Sequence, residues 1–365
     1  MKRFFVLLLM FIFTLPVFAD SENILPSQTG IVKSVEYLNS DDGMTNTKQL
    51  VKVKILTGEF KGEIVELENM LSGNPYYDIK LTKNTKVILH TEDNGGGIEY
   101  SIEDIKRSDT LVFLSILFCA LLIYVGKKKG LASLVSILLT VLLITNCLSP
   151  MILAGISPVL ASIIICIIST AITMYLVGGF NAKSTSAVLG AVLSLLFAAV
   201  LSAITMFTAH LTGFAAENTT FLYSVHPELN FIGITISAMI LATLGAVMDV
   251  AMSISSTINE IYETDNTKTV RELFVSGMNV GRDIIGTMAN TLILVYLGGS
   301  IPLLLLAGNI DLHKFINLNQ VVTETASALI GSIAIVICVP FTALVASSLI
   351  HKYAKLAKYD NIDIK

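Results

Sequence analysis

Four residues about two thirds of the way along the chain set the chemical question. They are Asp249, Ser253, Ser256 and Glu260, in the segment GAVMDVAMSISSTINEIYE that starts at Gly245. Spacings of four, three and four put them on one face of a helix. Ala242, Gly245 and Ala246 continue that face, so a small-residue edge passes into an acidic, hydroxyl-rich one. A second segment, GMNVGRDIIGTMANT from Gly277, repeats the pattern. Asn279, Asp283, Gly286, Thr287 and Asn290 share a face, with Arg282 beside Asp283. On antiparallel neighbouring helices, Asp249 could pair with Arg282, or share a cation or a proton with Asp283. Whether a metal is among those cations is left open by the residue types. At mid-membrane each charge costs about 2.5–3.5 kcal/mol, so such groups persist only when paired, hydrated or turned toward protein. A plainer reading stands beside this one. A helix core ending at Met248 would leave Asp249 at the headgroup boundary and Glu260 in water. Asn290 would then need only an interhelical hydrogen bond, worth about 1 kcal/mol.

The elements that must position these residues are membrane helices. Of 365 residues, 53% are hydrophobic and 14% charged, against about 25% charged in an average soluble domain; the mean hydropathy is +0.75. Seven apolar runs are predicted as spans, near 110–126, 131–148, 152–177, 187–209, 231–250, 284–307 and 326–350. The two polar faces belong to the fifth and sixth, both beginning at the same side of the membrane. Ser186, Gly190, Ser194, Ala198 and Ser202 recur every four residues in the fourth run, and Ala238, Ala242 and Ala246 in the fifth. Both stripes predict close helix packing. Gly298-Gly299-Ser300 with Pro302 is expected to interrupt the sixth run, and Pro340 the seventh. Such breaks are tolerated where neighbours or a cavity satisfy the backbone, and can mark a transport site.

Residues 1–19 read as a signal peptide or an uncleaved anchor: Lys2 and Arg3, an apolar stretch, then Val17 and Ala19 at cleavage-site spacing. Either places residues 20–109 outside the cytoplasm. With that domain outside, alternation sends Lys127, Lys128, Lys129, Lys183, Lys268, Arg271, Arg282 and the tail 351–365 with its lysines inside. Only Lys314 falls in an outer loop, as the positive-inside rule requires. The membrane domain is thus 110–350.

The exported segment holds 16 acidic and 10 basic residues, which argues against nucleic acid as a partner. Strands are predicted at 30–38, 49–56, 63–68, 79–81, 85–91 and 98–102. They are separated by turn residues such as Asp41-Asp42-Gly43, Ser72-Gly73-Asn74-Pro75 and Asn94-Gly95-Gly96-Gly97. Five or six short strands suggest a small β-barrel, OB-like or SH3-like. It carries no catalytic constellation, and Tyr76-Tyr77 is either a contact patch or core or turn packing. The four cysteines, Cys119, Cys147, Cys166 and Cys338, all lie in apolar runs and read as packing residues.

The segments GAVMDVAMSISSTINEI and SGMNVGRDIIGTMANTLILVYLGGSIPLLLL closely resemble the YibE/F-like bacterial membrane proteins. GEFKGEIVELEN from Gly58 and KKKGLASL from Lys127 fit the same pattern. The resemblance implies a bacterial cell-membrane protein with an exported β-rich domain before a multi-span domain, a family with no settled biochemical function for which transport is a frequent suggestion. It brings no catalytic residues. The expected whole is a polytopic α-helical membrane protein of about seven spans, with an N-terminal exported small β-barrel. The leading functional expectation is a secondary transporter or permease for an unidentified small solute or ion, its acidic seam opening to the cytoplasm. No nucleotide-binding loop is present, so transport would be secondary or depend on another subunit. The alternative is a non-transporting receptor or scaffold whose barrel binds an extracellular partner while the helices sit in the lipid bilayer. An intramembrane aspartyl protease is disfavoured: Met248 before Asp249 and Arg282 before Asp283 depart from the Tyr-Asp and Gly-x-Gly-Asp patterns of those enzymes. No enzymatic activity and no cofactor are expected.

Overall fold

The computed structural model describes residues 27–39, 47–93 and 98–360. The expected signal segment, the turns at 41–43 and 94–97 and the last five residues lie outside them. The chain divides into two units at Leu122/Ile123.

The first unit is a nearly closed five-stranded antiparallel barrel. Its strands are β1 (Gln28–Asn39), β2 (Thr47–Ile55), β3 (Ile64–Leu71), β4 (Lys86–Asp93) and β5 (Ile98–Ile105), in the order β3-β2-β1-β4-β5. β1 pairs with both β2 and β4, and the edge strands β3 and β5 come together. That is the connectivity of the OB-like alternative. Alternation drives the local structure: Val51, Val53 and Ile55 point inward while Lys52 faces out. They pack with Val32, Leu67, Leu81, Val87 and Leu89.

The sixth predicted strand, 79–81, does not form. Leu81 is fully buried as a strand residue would be, but its backbone is held by a side chain. The Gln49 amide donates to the Leu81 carbonyl at 3.2 Å and accepts from its N–H at 3.1 Å. Asn69 donates to the Ile79 carbonyl at 2.7 Å and to Gln49 Oε1 at 2.9 Å. The buried Gln49 amide and the half-buried Asn69 amide therefore do what a neighbouring strand would do.

The helices are α1 (Ser108–Leu143), α2 (Ser149–Leu153), α3 (Pro158–Gly178), α4 (Ala182–Thr208), α5 (Glu217–Val225), α6 (Phe231–Thr264), α7 (Val270–Gly299), α8 (Ile301–Leu306), α9 (Leu312–Ile316) and α10 (Asn319–Asp360). Local sequence sets their starts. Asn181 and Asn230 cap α4 and α6 by accepting from the N–H of Ser184 and Gly233, and Thr269 with Glu272 forms a capping box on α7.

Among the described residues, six helical stretches are long and apolar enough to cross a membrane. The first two predicted spans fall in one of them, Ser108–Leu153, of 46 residues. The backbone leaves helical geometry there at Lys127 (φ 50°, ψ −127°). At 1.5 Å per residue that stretch runs roughly 69 Å, more than twice a hydrocarbon core of about 30 Å. The break at Lys127 therefore accounts for the difference between six stretches and about seven predicted spans.

α4, α6 and α10 pack on one another, with α3 and α7 against their flanks. The α4 stripe does what small residues do in lipid: Ser186, Ser194, Ala198 and Ser202 are wholly buried. A methyl group added at Gly190 would lie 2.8 Å from Thr342 Cα on α10. The second stripe differs from expectation. Ala238 and Ala242 are exposed and Ala246 only half-buried, because α6 packs through its larger residues Met239, Ile240, Leu244, Val247 and Ile254. The predicted break at Gly298–Pro302 is present, between α7 and α8. The one at Pro340 is absent; α10 runs through it. A proline forfeits one backbone hydrogen bond, and a helix packed against α4, α6 and α7 tolerates that loss.

Candidate functional site

The polar edges of α6 and α7 both lie on the surface of the helical unit. Asp249, Ser253 and Glu260 are exposed and Ser256 is half-buried; Asn279, Arg282, Asp283, Thr287 and Asn290 are all exposed. Helix arithmetic explains the α7 arrangement. Gly277, Gly281, Ile284 and Met288 face inward: the glycines are buried and Ile284 and Met288 pack on the main core. Asn279, Asp283, Gly286 and Asn290 repeat the same rhythm two residues on, about 200° around the helix. The two helices meet through other residues: Gly277 sits against Ile258 of α6, with its would-be Cβ 2.6 Å from the Ile258 Cδ1 atom, and Gly281 sits against Val339 of α10.

No hydrogen bond or ion pair joins the two edges among the described residues. Arg282 donates to Asn279 Oδ1 at 2.9 Å, one turn back on its own helix, rather than reaching Asp249. Thr287 returns its hydroxyl to the Ile284 carbonyl at 3.0 Å. Methyl groups added at Gly245 or Gly286 would meet no atom within 4 Å. Within one chain the polar edges are thus two open stripes rather than the walls of a closed cleft. Among the described residues, no group of three or more His, Cys, Asp or Glu is placed to hold a metal ion. In the turn from α6 to α7, Asp265 accepts from the Thr267 hydroxyl at 2.6 Å. Those Thr267 hydrogen bonds hold its carboxyl below the ordinary carboxylate range.

Sequence reasoning missed a second feature, a mostly apolar cavity with a few polar groups. At the far end of α7 a cavity of about 160 Å³ is lined by Tyr296, Ser300, Phe315, Glu324 and Thr325 among others. An adjoining space of about 290 Å³ shares Tyr296, Ser300 and Glu324 and adds Pro302 and Gln320. Glu324 is half-buried. It comes from the second turn of α10, so no local periodicity connects it with Tyr296. The only signal within reach was the break at Gly298–Pro302, which does border this space.

Comparison with known proteins adds the family. Residues 114–352 match the YibE/F-like protein family, and residues 30–105 match the YibE/F family N-terminal domain. The chain belongs to the YibE/F-like family. No curated protein and no solved structure matches it. This YibE/F-like chain is a multi-pass membrane protein: the barrel coincides with the family's N-terminal domain, and the six apolar stretches with the match that follows. Both polar edges fall inside the match at 114–352.

Proposed function

We propose that this protein is a secondary transporter or permease, in which the α6 and α7 edges form the wall of a hydrated path opening to the cytoplasm. The supporting observation is the placement of Asp249, Arg282, Asp283 and Asn290. They lie exposed on helices long and apolar enough to span a bilayer, where such groups need water or a partner. In this reading the barrel lies outside and the C-terminus inside, with Lys127 to Lys129 turning the first pass into the second. Asp249 binds a cation or exchanges a proton, and the Tyr296–Glu324 cavity lies toward the opposite end of α7.

The test is flux. The purified protein, reconstituted in liposomes, is screened against ions and small solutes with Asp249→Asn as control. The expected result is a flux that falls to the empty-vesicle background in the variant, with membrane insertion unchanged. Wild-type flux in Asp249→Asn would remove the acidic edge from the mechanism.

One observation favours a second reading, a receptor or scaffold. Tyr76 and Tyr77 stand 72% and 71% exposed on the loop between β3 and β4, a surface suited to an extracellular partner. On that reading barrel deletion destroys function while Asp249 and Asp283 substitutions are silent.

A further inference from the structure

α7 is the anomaly among the candidate spans. Its mean hydropathy is 1.2 where the others lie between 2.2 and 2.5, and only 6% of its apolar window is buried against 22–56% elsewhere. The exposed side is also the wrong one for lipid, since it carries Asn279, Arg282, Asp283, Thr287 and Asn290. Arg282 and Asp283 stand at the mouth of the span with Thr287 and Asn290 further in, and Arg282 donates to the Asn279 amide of its own helix, so hydrocarbon is a poor neighbour for this face. Within the helical unit α6 and α10 pack on the opposite face of α7, which leaves this face to be covered by water or by another molecule.

We infer that the cover is a second copy of this chain, packed α7 against α7 about a two-fold axis along the membrane normal. The inference rests on the transport reading and completes its site, because the stripe becomes a cleft wall only when a partner copy faces it. One feature selects a second copy over another partner, and two more leave room for it. A two-fold interface must be self-complementary, and the stripe carries both signs at one depth: Arg282 of one copy meets Asp283 of the other, and the reverse. Gly286 lies one turn from Asp283 with no atom within 4 Å of a Cβ, leaving room for a close backbone approach. The small edge of α6 is also uncovered, with Ala238, Ala242 and Gly245 exposed.

Cross-linking in native membranes tests this. Gly286→Cys and Asn290→Cys are made separately in a chain whose own cysteines, Cys119, Cys147, Cys166 and Cys338, are replaced by serine or alanine. Val200→Cys, on an α4 face that is 60% exposed, is the control. Oxidation should convert the two α7 variants to a species of twice the chain mass and leave the control monomeric. Adding Arg282→Asp should abolish the product, and adding Asp283→Arg as well should restore it. Equal cross-linking at 200, 286 and 290, or a product of any mass other than two chains, overturns the inference. If the cysteine-free chain fails to insert, the native mass of the wild-type protein in lipid nanodiscs decides: two chains supports, one chain overturns. A dimer without Asp249-dependent flux sinks the transport reading alone. Flux from particles shown to hold one chain sinks the second copy alone.

Discussion

α4 and α7 carry much the same kinds of residue and use them in opposite ways. Each threads glycine and hydroxyl side chains along one face at helical spacing. On α4 the stripe of Ser186, Gly190, Ser194, Ala198 and Ser202 disappears under its neighbours, with Thr342 of α10 against Gly190. Two of its hydroxyls turn back onto their own helix: Ser186 donates to the Ala182 carbonyl, and Ser194 to the Gly190 carbonyl at 2.8 Å. On α7 the inward glycines, Gly277 and Gly281, are packed, while the outward stripe of Asn279, Asp283, Gly286 and Asn290 is exposed, with open space around Gly286. A small residue in a membrane helix therefore marks close approach only where something approaches. Where nothing in the chain does, and charges accompany the small residues, the face awaits water or a partner.

The largest expected effect breaks that comparison if it fails. Gly190→Leu puts a side chain into the backbone of α10, since even a Cβ would lie 2.8 Å from Thr342 Cα. Overpacking of a tight core costs about 1–3 kcal/mol and sometimes more. The helix must then shift, and the monodisperse yield in detergent should collapse. Gly286→Leu, the same change on the open stripe, should leave yield and thermal stability of the single chain close to wild type. Similar losses in both variants would mean that the two faces are not different in kind.

The same contrast shows what could be read from the residues alone. Spacing revealed that α4, α6 and α7 each have a special face, but not what faces it. The α4 and α6 stripes share a four-residue rhythm, and one is buried while the other is open. The cause is the bulk on the far side of α6, where Met239, Ile240 and Leu244 take the packing instead. Five strands followed from alternation. The segment 79–81 alternates as a strand does, yet its backbone partners are the side chains of Gln49 and Asn69, which no periodicity predicts. Pro340 and Pro302 look alike in the sequence. Only Pro302 follows a Gly-Gly-Ser break, and only there does the helix end. Glu324 and Tyr296 meet through tertiary packing alone.

A smaller effect is expected in the barrel, which stands on the α4 side of the comparison because the buried Gln49 amide finds its partners within the chain. Gln49→Leu keeps the bulk and strands the Leu81 N–H and carbonyl in a dry interior. A buried polar group left unsatisfied costs about 1–3 kcal/mol. Hydrogen exchange on the full chain should show the backbone around residues 79–82 losing protection, while the helical peptides are unchanged. Retained protection at Leu81 would show that Gln49 only fills space.

The smallest effect sharpens the comparison through pH. Desolvation raises the Asp78 carboxyl, but hydrogen bonds from Ser72 and Gly73 and the charge of Lys80 outweigh it and hold it below its ordinary 3.8. Asp78 accepts from the Gly73 N–H at 2.8 Å and the Ser72 hydroxyl at 2.9 Å, so the ionised form orders the loop after β3. A carboxyl lowered by folding contributes stability that is complete above its unfolded value and is lost as the pH falls through the folded one. The group is at the surface, so the effect is slight. Asp78→Asn should be a little less thermostable than wild type at neutral pH, the difference closing below pH 3.8. Because every partner of Asp78 lies in its own chain, that difference should not change with protein-to-lipid ratio. The charges of α7, if a second copy covers them, must respond to that ratio. A barrel transition that varied with it would erase the distinction between a region complete in one chain and one that is not.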